Sequence, residues 1–94
     1  MKIGRVAATV VTTIKHPALD GRRLLLVDLL DLEGKATGKD LIAVDAVGAG
    51  AGETVLVLDE GNGARQVLEA PEAPIRAVVV GIIDAVSLDD VSVL

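Results

Sequence analysis

Very few side chains here could carry out acid–base or nucleophilic chemistry. His16 is the only histidine, and Ser87 and Ser92 are the only serines, both within the last eight residues. A hydrolytic triad needs a nucleophile, a base and an orienting acid within hydrogen-bond reach. Here the base would stand beside Pro17, at the end of a predicted strand, where His16 reads as a turn residue. The acid pairs Asp59-Glu60 and Asp89-Asp90 are sequence neighbours. Neighbours in an extended chain point to opposite faces, so neither pair makes a general acid/base couple by itself; both read as solvated face or turn. One histidine and no cysteine argue against a structural zinc, an iron–sulfur cluster or a thiol nucleophile. No catalytic residue, metal or other cofactor is expected.

The run Gly48-Ala49-Gly50-Ala51-Gly52 invites comparison with a phosphate-binding loop, and it fails on detail. The third glycine of the dinucleotide fingerprint would fall at position 53, which is Glu53. No Lys-Ser/Thr follows, and the next residues are β-like, so no helix N-terminus is offered to a phosphate. The run therefore reads as a tight backbone bend, or as a loop kept thin because copies of it meet at a symmetry axis. Nucleic acid is a poor partner as well. There is no Phe, Trp or Tyr to stack on a base, and the net charge is −5, whereas single-strand binders combine aromatics with a basic groove. The charge is uneven: residues 1–47 carry seven basic and six acidic residues, and residues 48–94 carry two and eight. No apolar run approaches the ~20 residues that span a bilayer. A cytosolic protein with no membrane partner is expected.

The elements that must position these residues are short and mostly extended. Residues 2–15 alternate, with Val6, Ala8, Val10 and Ile14 on one side, and His16-Pro17 ends the run. Residues 22–32 form a second strand with Leu25, Val27 and Leu29 inward. Its other face, Leu24, Leu26, Asp28 and Leu30, is too apolar for water and demands cover on both sides. Turns are predicted at Asp20-Gly21, Glu33-Gly34-Lys35 and Thr37-Gly38-Lys39. Further strands are predicted at Leu41–Val47, 53–59 and Ile75–Val86, the last again apolar on both faces. A short helix is predicted at 64–68, capped by Asn62, and residues 87–94 form a tail with β character. Five strands with one short helix and a C-terminal β tail describe an all-β, OB-like small barrel, one domain spanning 1–94.

Size adds a constraint. The chain has 94 residues, 51% of them apolar. A domain of this mass buries only about 63% of its unfolded surface, leaving roughly 5,100 Å² exposed. Without aromatics the core is thin, and cover from other subunits is the expected remedy.

Several stretches, in order and at this spacing, resemble the EutN/CcmL family, the pentameric vertex proteins of bacterial microcompartment shells. They are Gly4-Arg5-Val6-Ala7-Ala8-Thr9-Val10-Val11, Lys15-His16-Pro17 with Asp20-Gly21, Leu24-Leu25-Leu26-Val27, Asp45 through Glu53, Gly61-Asn62-Gly63-Ala64-Arg65-Gln66, and Ala77 through Asp84. One departure is Gly63, where the family often has Ser, which leaves the helix cap to Asn62. The resemblance implies a homopentamer closing the five-fold vertices of an icosahedral shell, with hexagonal shell proteins as partners. It implies an axial pore near Gly48, Ala49, Gly50, Ala51 and Gly52. Candidate subunit contacts are Leu24, Leu26, Leu30, Asn62, Arg65, Val78, Val80 and Ile82. The alternative function is a pore-bearing ring that binds or gates small molecules.

Overall fold

The computed structural model describes residues 1–11, 17, 21–60 and 76–84, and the backbone of 87–88 and 91–92. Strands β1 (Lys2–Val10), β2 (Leu24–Leu30), β3 (Ala36–Asp45), β4 (Thr54–Asp59) and β5 (Ala77–Ile82) close into one barrel in the order β1-β2-β3-β5-β4. β1 pairs antiparallel with both β2 and β4. β3 and β5 run parallel and touch only at Val44↔Val78 and Asp45↔Val79. The C-terminal β6 (Ser87–Leu88) and β7 (Val91–Ser92) pair with each other in a separate two-stranded sheet. The predicted helix at 64–68 lies outside the described residues, as do His16, Asn62, Arg65, Asp89 and Asp90.

Among the described residues, the buried side chains of the interior are all aliphatic. Val6, Leu25, Val27, Ala43, Val55, Val57, Ala77 and Val79 form one cluster, and Ala49 from the glycine-alanine loop joins them, fully buried. Leu25, Val27 and Leu29 face inward, as period-2 alternation requires. The turn between β2 and β3 is tied by the carboxylate of Asp31, which accepts from the N–H groups of Glu33 (2.8 Å) and Lys35 (3.0 Å). Gly34 takes φ +83° there, a conformation costly for any residue with a Cβ.

Strand ends shift by one or more residues from the sequence reading, with β2 at Leu24–Leu30 rather than 22–32 and β3 ending at Asp45 rather than Val47, and three differences matter most. First, β1 does not keep one alternation. Val6 pairs with Val27 and Ala8 with Leu26, so two steps on β1 match one on β2. This β-bulge leaves Val6 buried and turns Ala8 out to solvent. The main chain of β1 also bonds the loop at that point: Val6 N–H donates to Glu53 (3.0 Å), and Val6 C=O accepts from Gly52 (2.8 Å). Second, β3 begins at Ala36 rather than at Leu41. Gly38 does take a turn-like φ of +83°, but pairing of Leu30 with Ala36 and Asp28 with Asp40 absorbs it as an irregularity within the strand. Third, β5 is shorter than expected; Ile83 leaves the strand, although its N–H still donates to Thr54 C=O (2.8 Å).

Gly4 is the tightest point of the core. A Cβ built there would lie 2.2 Å from Val27 Cγ1 and 2.9 Å from the Asp28 carbonyl oxygen. The oxygen belongs to the ladder and cannot move aside. Gly4→Ala is expected to cost about 1–3 kcal/mol through overpacking, read as a lower urea midpoint at fixed protein concentration.

Candidate functional site: the glycine-alanine loop and the outer barrel face

Asp45, the last residue of β3, organises the loop that follows it. Its carboxylate oxygen Oδ1 accepts from the backbone N–H of Val47 (3.0 Å), Gly48 (3.0 Å) and Ala49 (3.2 Å). A short acidic side chain bonding the main chain two to four residues on makes a compact turn. The second oxygen lies 3.7 Å from Arg23 Nη2, and the Asp45 side chain is only 4% exposed. Arg23 Nη2 also donates to the Ala49 carbonyl. Further on, the Gly50 N–H donates to the Glu53 carboxylate, and the Glu53 N–H returns a bond to Gly50 C=O at 3.1 Å. Gly48 and Gly52 adopt φ of +77° and +85°. The run 48–52 is thus a pinned bend. Ala49 is buried in the core, Gly50 is partly covered, and Gly48, Ala51 and Gly52 are exposed. It makes a poor anion cradle, since the N–H groups of Gly48, Ala49 and Gly50 already have carboxylate partners and that of Gly52 bonds the Val6 carbonyl.

A second polar centre sits at another end of the strands. Asp59 of β4 accepts from Lys2 Nζ (3.0 Å) and Arg76 Nε (3.1 Å). The Lys2 hydrogen bond is the main cause that holds the Asp59 carboxyl below its ordinary pKa of 3.8, and burial partly opposes it. These groups line a cavity of about 520 Å³ beside Gly38, Lys39 and Leu41. A neighbouring trough of about 610 Å³ is lined mainly by Met1, Ile3, Leu30, Leu32 and Leu56.

The proposed contact residues fall into different surroundings. Leu24, Leu26 and Val80 are half-buried, and Ile82 is exposed. Leu26 is flanked across the ladder by Ala8 on β1 and Ile42 on β3, and Ile42 is 55% exposed. These side chains make an apolar band on the outside of the barrel. Leu30 is largely covered within the subunit, and Val78 is fully buried. Val78 therefore has no surface left to give a neighbour. Arg23 was not singled out from the sequence, Asp45 entered only within the family stretch, and Asp59, read with Glu60 as solvated face or turn, is instead largely covered and bridged by Lys2 and Arg76. The signal for Asp45 was an Asp three residues before a glycine-rich bend. Lys2, Asp59 and Arg76 come from distant segments with no local signal.

The family described as "Ethanolamine utilisation protein EutN/carboxysome" matches residues 1–84. The chain belongs to the EutN/CcmL family. The carboxysome shell vertex protein CcmL of Gloeobacter violaceus is 46% identical over 90 residues, covering 96% of this chain and 89% of that protein. The microcompartment shell vertex protein PduN of Salmonella typhimurium is 45% identical over 91 residues, covering 93% and 99%. Among solved structures, Gloeobacter violaceus CcmL superposes with a TM-score of 0.92 at 44% identity over 100% of this chain and 96% of that one. The GrpN pentameric microcompartment shell protein of Rhodospirillum rubrum gives 0.84 at 42% identity, covering 94% and 99%. The five-stranded barrel is thus the fold this chain shares with those proteins over almost its whole length.

Two outcomes test this geometry. Asp45→Ala removes an acceptor shared by three N–H groups and should cost about 2 kcal/mol, with Asp45→Asn milder because one carbonyl oxygen remains; chemical denaturation reads both. Asp59→Asn should cost on the order of 1 kcal/mol near neutral pH, since both cationic partners are well exposed. Its folded pKa is depressed, so the advantage of the parent chain is full above the unfolded value of 3.8. That advantage fades as pH falls through the folded value, and unfolding curves of the two chains should converge in acid.

Proposed function

We propose that this chain is a structural component of a bacterial microcompartment shell, forming a cyclic homopentamer at the five-fold vertices. The observation that carries the reading is the whole-length similarity to proteins named as shell vertex proteins, joined by a 42% identical relative described as pentameric. The subunit's surface supports it. Ile42 and Ile82 are exposed, and Leu24, Leu26 and Val80 are only half-buried, which leaves apolar surface outside the barrel.

In this reading Leu24, Leu26, Val80 and Ile82 contribute to a heterologous contact, repeated around the ring. The 48–52 bend faces the axis. Flat hexagonal tiles cover planes; five-fold units supply the curvature that closes them. The partners are hexagonal shell proteins, the location is the microcompartment shell in the cytoplasm, and the role is mechanical rather than catalytic.

Five copies of a 9.6 kDa chain give a ring of about 48 kDa under closed cyclic symmetry. Native mass spectrometry at micromolar concentration should find that species, and a monomer would sink the proposal. Leu26→Glu should shift the population to monomer, because an unpaired carboxylate buried at each contact costs about 3 kcal/mol or more. Co-expression with hexagonal tile proteins should give closed particles, and tiles alone should leave the vertices open.

A further inference from the structure

Where the subunit itself requires a glycine, the reason is visible. Gly4 is closed in by Val27 and the Asp28 carbonyl, and Gly34 takes φ +83°. Gly81 in β5 has neither reason. Its φ is not positive, and among the described residues a Cβ built there meets only Leu56 Cβ, at an ordinary 3.7 Å. A glycine inside a strand weakens the strand, and where the fold does not ask for it, it marks a close approach from outside.

That approach is to the outer face of the barrel. Gly81 pairs with Leu56 on β4. Val55 and Val57, on either side of Leu56, are fully buried, so Leu56 and Gly81 face outward. Both are half-buried. Leu26 faces outward on β2 for the same reason, between the fully buried Leu25 and Val27. Beside it on β3 stands the exposed Ile42. One face is thus low and open, and the other carries a protruding aliphatic side chain.

Strand register sets these two faces at one level on opposite sides of the barrel. In the closed order β1-β2-β3-β5-β4, the seam between β4 and β5 lies across from β2. Followed through Ala8 on β1, the ladder from Leu26 comes to β4 at the level of Ala51, three residues beyond the Arg5↔Thr54 pair. Followed through Ile42 on β3, it comes to β5 at Arg76, two residues before the Val44↔Val78 pair. That is the level of Glu60 on β4, next to the Asp59↔Ala77 pair. Strand tilt displaces the ladder in opposite senses along the two routes. The level of Leu26 is therefore midway between 51 and 60, where Leu56 pairs with Gly81.

We propose that the Leu26–Ile42 face of one copy packs on the Leu56–Gly81 face of the next, with Gly81 bare so that the neighbour's Ile42 lies against the sheet. This rests on the ring reading and names its two patches. A head-to-tail contact needs two unlike patches on one subunit, and this chain supplies both, one protruding and one low, at the same level.

The chain contains no cysteine, so introduced thiols report contacts without background. Chains carrying Ile42→Cys are co-expressed with differently tagged chains carrying Leu56→Cys, and the purified assembly is oxidised. The expected product is a disulfide-linked pair bearing both tags, at least tenfold more abundant than with Val11→Cys in place of Ile42→Cys. In a second measurement, Gly81→Val should raise the concentration at which the ring half-dissociates at least tenfold. Amide exchange at Val55, Val57 and Val79 should be as slow in dissociated Gly81→Val subunits as in Leu26→Glu subunits. A ring that gives no such cross-link, that survives Leu26→Glu, or whose dissociation Gly81→Val leaves unchanged overturns this inference and leaves the ring standing. Faster exchange in the Gly81→Val subunits overturns it too, because the glycine then serves the fold. A monomeric parent chain removes the ring reading and this inference together.

Discussion

The Asp45 carboxylate is where the strands, the loop and the core meet. It ends β3 by taking three successive N–H groups that the strand would otherwise have to pair. That turn drops Ala49 into the aliphatic cluster and places Gly52 where its N–H bonds Val6 on β1. One buried acid thus connects β3, the loop, the core and β1, while Arg23 holds both the acid and the Ala49 carbonyl. Backbone donors in a loop must be satisfied somewhere. Here those of Val47 through Gly50 and of Gly52 are satisfied internally, so the loop keeps its shape and offers few donors with which to grip a phosphate.

A core without aromatic rings carries consequences for the outside of the barrel. Valine, leucine and alanine pack closely but bury little area each, so the interior alone leaves the domain thin. The sheet answers by being apolar outward as well. Leu24 and Leu26 on β2, with Ile42 on β3, form a continuous aliphatic band. In a closed barrel the inner face belongs to the fold, and what the outer face displays is available to neighbours.

How much of this was legible depended on whether the signal was local. The inward set Leu25, Val27 and Leu29 followed from alternation, and the β2–β3 turn followed from Glu33-Gly34-Lys35. The β1 bulge did not: Ala7 and Ala8 carry nothing to mark which one slips. Gly38 marked a positive φ correctly, but a positive φ within a ladder and one in a turn look the same along a sequence, and only pairing with β2 separates them. Val78 and Val80 looked equivalent, both pointing away from the inner set, yet one is fully covered and the other half-covered. Lys2, Asp59 and Arg76 met through tertiary structure alone. Whole-family similarity was legible because it pooled many weak positions across the chain.

The short parallel seam between β3 and β5 also bears on how the molecule comes apart. Two strand pairs and one further bond, from Ala46 N–H to Val79 C=O at 3.2 Å, clasp a ring whose other seams are longer. Local opening takes the least reinforced unit first. Breathing at this clasp would uncurl the cylinder into a ribbon with two raw borders, where amide protons exchange early and stray strands stick. The seam that closes the barrel is thus the one most easily undone, and a neighbour that covers this border protects the fold as well as extending the assembly.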